Sequence, residues 1–547
     1  MIDRDKIFPL MFLIFISIFP ILSLFHPGLP ITHDGQDHVA RIANFYQNLS
    51  EGNLIPRWAG NLNWGFGHPI LEFLYPLPSY IASLFHFLGF SLIDSVKIVF
   101  GLGMILSLLF MYLWLSSFLG EIPAVFGAIL YTYAPYRFVD LYVRGAIGEH
   151  VAFVFPPLIA YFFLRLSKQY SYWYLVGGSL AFAGLILSHN AISLMFVPIV
   201  FVYALFLFWT SKGRRRLIYW YTGILLLGLG LSSFFWIPAF FEGKYTLRNI
   251  VTAGSYVGRF VNFKDLLYGP LSYGGSGQFT VQLGVVAWIS LVASPFVLYS
   301  FYRKKDKSYI LTLSLIILTL FAIFLMLDKS NFIWSKIIFL QNFQFPWRFL
   351  GVTVFTTSVL GAYLISAVPN KFKKIIFALL VSIILFQSKD YIKANGYLYK
   401  KDSFFSGIYN STTDTGESSP IWSVRFMEKR AKAHLEVLDG KATVRELKRI
   451  STYHLYSVDV KRKTLFAENT LYFPGWNILA NKKPVDIEFQ DPHYRGIMTF
   501  RLDKGSYLVE AYYKETKIRA LSDAISIVVI SSIIGFSLFK FVKARLS

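Results

Sequence analysis

Cysteine is absent from the 547 residues. The chain therefore has neither a disulfide framework nor a thiolate metal site, although this absence does not identify its compartment. Charge is also scarce, because Asp, Glu, Lys and Arg make up 15% of the residues whereas hydrophobic residues make up 55%. Such a chain is too apolar to be a soluble protein of this length. Apolar runs long enough to span a bilayer recur along most of it, and they predict a polytopic α-helical membrane protein.

The excess of basic residues has a local explanation. The net charge is +22, from 53 Lys and Arg against 31 Asp and Glu. Much of the Lys and Arg stands in short loops between apolar runs, where it sets the orientation of the helices in the membrane. No base-reading module is visible in the sequence. We therefore predict contact with membrane lipids and no nucleic-acid partner.

We predict about twelve transmembrane helices, and the basic loops fix their direction. With a cytoplasmic N-terminus, four basic clusters fall inside, as the positive-inside bias requires. Counting 70–88 as a full span would reverse the later loops, so we interpret it as a juxtamembrane or re-entrant element of the first external loop. This topology describes a protein of the cytoplasmic membrane with both termini in the cytoplasm. The predicted spans are 7–25, 93–117, 122–136, 150–166, 172–187, 190–209, 217–240, 282–302, 309–327, 348–367, 374–388 and 521–539, and the basic clusters are at 212–216, 303–305, 371–374 and 540–545.

The sequence divides into three parts. Residues 1–388 form the predicted transmembrane domain, with 26–92 as its first external loop. Residues 389–520 are of mixed polarity, and alternating segments set off by Pro-Gly, Asp-Pro and Lys-Gly pairs predict a β-rich extracytoplasmic domain. Residues 521–547 form a last transmembrane helix and a cytoplasmic tail. We assemble no catalytic triad in the β-rich domain and interpret it as a lid or scaffold.

Acidic, His and Arg residues gather in the first external loop. The run T-H-D-G-Q-D-H-V-A-R, at 32–41, places Asp34, Asp37, His38 and Arg41 just after the first apolar segment. Charged groups beside a bilayer are costly to desolvate, so a cluster at this edge indicates a functional site. The alternative is a solvated loop in which Asp34 starts a helix.

Further polar residues stand at the other predicted external edges. Glu149 lies between Arg144 and His150, and His189 is followed by Asn190. Two carboxylates such as Asp34 and Glu149 can share a divalent cation, Mg or Mn, or divide base and orienting roles. A helix-start charge is the alternative for Glu149, and a structural role is the alternative for His189.

Two arginines are candidates for binding substrate. Arg348 stands at the outer start of a span, where its fork of donors suits a phosphate, with snorkelling to the interface as the alternative. Arg57 precedes Trp58, and the pair suits contact with a sugar; for the tryptophan, anchoring at the membrane interface is the alternative.

Taken together, these residues resemble a known class. The chain is similar to the GT-C class of integral-membrane glycosyltransferases. More narrowly, it resembles the bacterial and archaeal membrane proteins labelled 6-pyruvoyl-tetrahydropterin-synthase-related, near the YfhO-like group. The zinc-histidine set of the soluble pterin enzyme is absent, so that activity is not implied. The matching motifs are D-G-Q-D-H-V-A-R (34–41), P-R-W (56–58), G-F-G-H-P (65–69), V-R-G-A-I-G-E (143–149), S-H-N (188–190), P-W-R-F (346–349) and F-P-G-W (473–476).

The resemblance implies a GT-C-like fold and a hexosyl- or pentosyltransferase. It would take a sugar from a polyprenyl-phosphate donor to a cell-envelope glycan, lipid or protein acceptor at the outer face. The resemblance implies Asp34 as the base, because it fits the D-G-x-x-H form of the narrower family. Asp37 is the second candidate, because its spacing fits the aminoarabinose transferases. Glu149 matches the acidic position of the second external loop. Some members of the class need a metal ion at this site and others do not, and here Asp34 and Glu149 would hold it.

Other classes of function remain open at this stage. A lipid or polysaccharide transporter needs polar residues deep within its spans and often paired broken helices. In this sequence the polar residues gather at one face and the centres of most spans are apolar. A non-catalytic scaffold of a glycan assembly system is the other alternative, and the acidic loops disfavour it.

Overall fold

The computed structural model describes residues 4–211, 214–275 and 278–546. Its α-helices are Arg4–Ile18, Gly35–Ser50, Ile70–Phe73, Leu77–Phe87, Leu92–Ser116, Glu121–Thr132, Pro135–Phe138, Ile147–Ala152, Phe155–Lys168, Tyr172–Ser188, Asn190–Thr210, Arg214–Leu231, Ser233–Phe241, Arg248–Thr252, Phe263–Leu267, Val285–Arg303, Ser308–Met326, Asn331–Lys336, Ile338–Gln341, Leu350–Ala367, Asn370–Ser388, Asp402–Ser406 and Lys517–Leu546. Six 3₁₀ helices are described, Phe19–Phe25, Asn63–Gly65, Gly243–Tyr245, Asp328–Ser330, Pro346–Phe349 and Pro492–Tyr494, together with a π-helix at Val139–Arg144.

The long apolar helices confirm the polytopic helical fold. In the described ranges, eight helices are long and apolar enough to cross a membrane, or nine with one bent pair. The other predicted spans correspond to the shorter helices Glu121–Thr132 and Tyr172–Ser188 and to the helix Asn370–Ser388. The number twelve stays a prediction. The eight helices are Phe8–Phe25, Leu92–Ser116, Ile147–Lys168, Asn190–Thr210, Val285–Arg303, Ser308–Met326, Pro346–Ala367 and Lys517–Ala544.

The bent pair has a local cause. Arg215–Leu231 and Ser233–Phe241 meet at an angle of 71°. At the break, the Ser232 hydroxyl donates to the carbonyl of Gly228, and Pro238 removes one amide donor from the second helix. Serine and proline are the usual causes of such kinks. The bend directs the second helix toward the start of the last helix.

The loops predicted to lie inside meet at one end of the bundle. They surround a cavity of about 1000 Å³. This arrangement agrees with the predicted alternation of the loops, whereas the orientation of the bundle in a membrane stays a prediction. Lys212 and Gly213, which belong to the first basic cluster, lie outside the described residues. The cavity walls include Gly120, Glu121, Lys168, Ser211, Lys304, Asp306, Ser366 and Lys373.

The doubtful segment 70–88 forms two short helices. Ile70–Phe73 has four residues and Leu77–Phe87 has eleven, so neither is long enough to cross a bilayer. The second helix packs against Gly35–Ser50 and Leu92–Ser116. This agrees with the interpretation of the segment as part of the first external loop. We call Gly35–Ser50 the loop helix below.

The β-rich domain is an antiparallel sheet that begins later than predicted. The strands are β1 Leu29–Pro30, β2 Tyr397–Leu398, β3 Leu435–Ile450, β4 Tyr453–Leu471, β5 Trp476–Ala480, β6 Lys483–Val485, β7 Ile497–Leu502 and β8 Gly505–Tyr513. Six of them form the sheet, in the order β3-β4-β8-β5-β6, with β7 paired to β4. The predicted strands correspond to β4, β7 and β8. Residues 389–434 are not part of this sheet; they contain β2, which pairs with β1 in the first external loop.

Aromatic residues join the first external loop to the sheet. Trp58 is buried, and its ring lies 5.4 Å from that of Trp476 in an edge-to-face arrangement. Phe73 packs against Phe473 at 5.9 Å. Gly67 has a φ of +78°, and a β-carbon there would lie 2.5 Å from the Trp58 ring, so glycine is required. The tryptophan of P-R-W is therefore part of a core shared by the loop and the sheet.

A buried ion-pair network fastens the last helix to the same loop. The Arg519 side chain is fully buried, and its Nη2 atom lies 2.9 Å from Glu72 and 2.6 Å from Glu242. Glu72 belongs to the first external loop and Glu242 to the end of the bent pair. One guanidinium therefore holds three segments that are distant in the sequence.

We expect Arg519→Met to destabilise the protein by about 3–5 kcal/mol, because it leaves two carboxylates buried without their cation. Thermal unfolding of the purified protein in detergent measures this loss. The control is Arg495→Met, which removes an exposed pair with Glu428 and is expected to cost less than about 1 kcal/mol. Equal shifts in the two variants would contradict the assigned role of Arg519.

Candidate functional site

Two glycines of the V-R-G-A-I-G-E motif allow three segments to meet around Glu149. The π-helix ends at Gly145, which has a φ of +67°, and a β-carbon there would lie 2.2 Å from the Thr32 hydroxyl. A β-carbon at Gly148 would lie 2.1 Å from the Tyr75 ring and 2.6 Å from the Ser188 carbonyl. Glycine at both positions therefore lets the first external loop and the 188–190 turn approach this segment. π-Helical turns of this kind are frequent at functional sites.

Backbone hydrogen bonds place Asp34 beside Arg144. The amides of His33 and Asp34 donate to the carbonyls of Val143 and Arg144, each at 2.9 Å. Asp34 is exposed and occupies the position before the loop helix, but its side chain makes no capping hydrogen bond there. The structure therefore does not support helix capping as the role of its carboxylate.

Glu149 is buried, and both of its carboxylate oxygens are engaged. Oε1 accepts from the Tyr136 hydroxyl at 2.5 Å, and Oε2 accepts from Arg144 at 2.8 Å. The Nε atom of Arg348 lies 3.8 Å from Oε2. Arg144 also pairs with the buried Asp140. Glu149 therefore lies between Arg144 and Arg348, and the Arg348 side chain does not extend into bulk solvent.

Asp37 and Arg41 contact residues 409–413, which lie between the helix Asn370–Ser388 and strand β3. Asp37 Oδ1 accepts from the Tyr409 hydroxyl at 3.1 Å, and Arg41 Nε donates to the Thr413 hydroxyl at 3.2 Å. Burial raises the pKa of Asp37 above its ordinary value of 3.8; the charge of Arg41 opposes this shift and that of Asp34 adds to it. The Asp37 carboxylate is therefore more basic than that of an ordinary aspartate, as general-base catalysis favours.

His38 and His189 connect the two halves of the site. His38 Nδ1 lies 3.0 Å from Arg41 Nη1, and the His38 ring interacts electrostatically with His189 and Arg144. Burial and the Arg41 charge lower the pKa of His38, so its ring is neutral near pH 7. His189 stacks on Tyr75 at 4.9 Å and interacts electrostatically with Arg348 and Glu149. These contacts define what we call the outer cluster, which comprises Asp34, Asp37, His38, Arg41, Arg144, Glu149, His189 and Arg348.

Three predicted site residues have structural roles. His150 follows Glu149 on the same helix, and successive helical residues point about 100° apart. The His150 side chain is therefore buried away from the outer cluster, with its Nε2 atom 3.0 Å from the Phe100 carbonyl. Arg57 pairs with Glu515 at 3.1 Å and with Asp523, so it fastens the last helix instead of binding substrate. Asn190 donates from Nδ2 to the Phe73 carbonyl and holds the first external loop.

Several residues of the site were not among those predicted. Asp140 could have been predicted from the sequence, because it lies four residues before its partner Arg144 on one helical face. Trp347 stands in the P-W-R-F motif, and the Arg144 guanidinium lies 4.6 Å from its ring centre. Tyr409 and Thr413 give no such signal, because each is 372 residues from its partner in the loop helix.

The predicted metal does not fit the arrangement of Glu149. Both carboxylate oxygens of this residue already accept hydrogen bonds, and Arg144 and Arg348 supply positive charge beside them. In the part of the chain that the structure describes, no group of three or more His, Cys, Asp or Glu side chains is placed to hold a metal ion. A divalent cation, Mg or Mn, stays a prediction of the sequence, and we derive no step from it.

Comparisons with known proteins give partial similarities. An uncharacterized protein of Lactococcus lactis subsp. cremoris (strain MG1363) is 25% identical over 253 residues, 44% of this chain and 40% of the relative. The mycobacterial arabinofuranosyltransferase AftD aligns with 72% of this chain and 27% of its own, at 14% identity and a TM-score of 0.44. The Archaeoglobus fulgidus oligosaccharyltransferase, in its apo form, aligns over 73% and 56%, at 13% identity and a TM-score of 0.40. ArnT from Cupriavidus metallidurans, bound to undecaprenyl phosphate, aligns over 66% and 79%, at 12% identity and a TM-score of 0.32.

This chain spans less than half the length of the Lactococcus relative and of AftD. A stronger match comes from a protein family. Residues 71–394, more than half of the chain, match the family described as a 6-pyruvoyl-tetrahydropterin synthase related domain of a membrane protein. This segment includes Arg144, Glu149, His189 and Arg348 of the outer cluster. The chain therefore belongs to the family of 6-pyruvoyl-tetrahydropterin synthase related membrane proteins.

Proposed function

We propose that this protein is a membrane glycosyltransferase. It moves a sugar from a polyprenyl-phosphate donor to a cell-envelope glycan, lipid or protein acceptor on the extracytoplasmic face. The observation that carries the proposal is the composition of the outer cluster. The exposed Asp34 and the half-buried Asp37 lie at the start of the loop helix, and the backbone of Asp34 is hydrogen-bonded to that of Arg144. The side chains of Arg144 and Arg348 share the buried Glu149. Transfer from a phosphate requires these two parts, a base and a set of cationic donors.

The base activates the acceptor. We assign this step to Asp37, because burial raises its pKa and the Tyr409 hydroxyl orients it. The carboxylate takes the proton of an acceptor hydroxyl, whose oxygen then attacks the anomeric carbon of the donor sugar. Asp34, the residue that the motif favours, is exposed next to it and is the alternative base.

The arginines stabilise the leaving group. As the new bond to the acceptor oxygen forms, the bond from the anomeric carbon to the phosphate oxygen breaks, and the polyprenyl phosphate leaves with that electron pair. Its charge is met by Arg348 and Arg144, whose guanidinium groups suit the geometry of a phosphate. Glu149 holds both groups in place through its Oε2 atom. Preorganised donors of this kind supply a large share of the catalysis.

The position of the polar groups favours transfer over transport. The outer cluster lies at one end of the helices, at the junction with the first external loop and residues 409–413. A transporter places its substrate site near the middle of the bilayer, often at paired broken helices. A scaffold requires no accessible carboxylate, so it is separated from an enzyme by the experiment below.

The test uses a deletion strain, in which envelope glycans and lipid-linked sugars are analysed by mass spectrometry. We expect one sugar to disappear from the envelope and a lipid-linked sugar to accumulate. The wild-type gene restores the glycan, whereas the Asp34→Asn/Asp37→Asn double variant, produced at equal amounts in the membrane, does not. Restoration by the double variant would refute the proposed enzyme and favour the scaffold.

The extracytoplasmic position of the site has its own test. Lys307 and Lys463 are both exposed, and they lie in a predicted inner loop and in the β-rich domain. On this cysteine-free background, we expect an impermeant thiol reagent to label Lys463→Cys but not Lys307→Cys in cells whose outer face is accessible. Permeabilised cells should label at both positions. The reverse pattern in unpermeabilised cells would overturn the orientation.

A further inference from the structure

A second cavity lies outside the outer cluster. Its volume is about 170 Å³, and it lies between the end of the loop helix and strands β3 and β4. We call it the seam cavity. Its walls include the side chains of Gln47 and Asn61 from the first external loop and those of His434, Arg449 and His454 from the sheet side, with Trp58 as an apolar part. The volume equals that of roughly five to six waters, which also suits one monosaccharide unit.

The walls of the seam cavity offer the groups that a sugar requires. A sugar ring presents hydroxyls that both donate and accept, together with apolar C–H faces. Asn61 Nδ2 donates to Gln47 Oε1, and Gln47 Nε2 donates to Glu51, so these bonds hold both amides in place. The second hydrogen of Gln47 Nε2, the Asn61 Oδ1 atom and the His454 imidazole supply a donor and acceptors, and the Trp58 ring supplies an apolar surface. A few placed polar groups beside an aromatic surface are typical of small-molecule sites.

The polar groups of the sheet are held in fixed positions. His454 Nδ1 lies 2.9 Å from Glu468 Oε1, and Arg449 donates to the same oxygen at 3.3 Å and to the Tyr456 hydroxyl at 3.0 Å. Burial lowers the pKa of His454, so the ring is neutral near pH 7. With Nδ1 engaged, the Nε2 nitrogen is the one left for a ligand.

One helix and one short segment connect the seam cavity to the outer cluster. Gln47 lies ten positions after Asp37 on the loop helix, a rise of about 15 Å. Ile408 lines the seam cavity. The neighbouring Tyr409 donates from its amide to the Asn61 carbonyl and from its hydroxyl to Asp37. A chain of sugars that begins in the seam cavity therefore has about 15 Å to span before it meets Asp37.

We propose that the seam cavity binds one sugar unit of a saccharide acceptor, and that the following units run along the loop helix to Asp37. This inference rests on the proposed function, since it names the acceptor as a saccharide. It gives the β-rich domain a binding role, because two of the cavity walls belong to β3 and β4.

The test measures binding and requires no transfer. The probes are methyl glycosides of common envelope sugars, titrated into the purified full-length protein in detergent and followed by saturation-transfer NMR. The test variant is Gln47→Ala/His434→Ala; both side chains are partly exposed, so the fold should survive. The matched control is His493→Ala, because His493 pairs with Asp491 at 2.7 Å much as His434 pairs with Glu446 at 2.6 Å.

We expect at least one methyl glycoside to bind the wild-type protein, and the double variant to bind it about tenfold more weakly through the loss of its hydrogen bonds. His493→Ala should bind it as the wild type does. Equal binding by the double variant, or no binding of any probe at its highest soluble concentration, would refute the seam site and leave the proposed transfer standing. If the wild-type protein binds the saccharide but transfers no sugar, the proposed enzyme is refuted and the seam cavity remains a saccharide-binding site.

Discussion

Asp37→Asn should reduce the rate of sugar transfer by about 10²–10⁴-fold, the usual cost of losing a general base. The amide keeps the shape of the side chain but cannot take the acceptor proton. Asp34→Asn should have a smaller effect, because Asp34 is exposed whereas Asp37 is half-buried and held by the Tyr409 hydroxyl. The measurement is single-turnover transfer from the donor identified in the deletion strain. A larger loss in Asp34→Asn would move the assignment to that residue.

The pH profile gives an independent check on the same carboxylate. A base acts in its deprotonated form, so kcat/KM should rise as the pH rises through the pKa of Asp37. Burial raises this pKa, which places the acid limb above pH 3.8. Asp37→Asn should abolish the limb along with most of the activity. An unchanged limb in the residual activity of Asp37→Asn would show that another group is titrating, and full activity of both aspartate variants would refute the mechanism.

The helices were predictable because their signal is local. An apolar run of sufficient length indicates a helix wherever it stands, and each of the predicted spans is helical in the structure. The 71° bend was not predicted, since a continuous apolar run from 217 to 240 does not show where a chain turns. The long strand β3 was also missed, because almost all of its residues are half-buried or exposed and its alternation is confined to 439–445.

The outer cluster was predictable where its partners are close in sequence or share a topological side. Arg144 and Glu149 belong to one motif, and the alternation of inner and outer loops placed Arg348 and His189 at the same face of the membrane. Tyr409 could not be found in this way. It reaches Asp37 only because β1 and β2 pair and draw residues 389–434 over the first external loop.

The motifs that carry the resemblance divide into two physical groups. Those with Asp34, Glu149 and Arg348 form the outer cluster, whereas those with Trp58 and Trp476 pack the loop against the sheet. From the sequence alone, both groups are polar or aromatic residues at an external edge. Their contacts distinguish them, because the first group makes ion pairs whereas the second packs ring against ring. Those contacts join segments that are far apart in the chain.

Arg348→Met should lower kcat by about 10²–10³-fold, as the loss of a preorganised donor to a developing anion does elsewhere. Arg348 is suited to this role because its side chain remains 11% exposed while its Nε atom lies 3.8 Å from Glu149. Arg348→Lys should recover part of the rate, since it keeps the charge but not the planar fork. Arg259→Met is the control, because Arg259 lies 4.6 Å from the ring centre of Phe345 and Arg348 lies 4.8 Å from the same ring.

The division of the effect between kcat and KM distinguishes the possible roles of Arg348. A group that stabilises the departing phosphate acts most strongly in the transition state, so its loss appears in kcat. A group that merely holds the donor raises KM and leaves kcat unchanged. If Arg348 only supported the loop, Arg259→Met would reduce transfer to a similar extent, and lysine would restore nothing. Either of these results would remove Arg348 from the chemistry and leave Arg144 as the group that meets the phosphate.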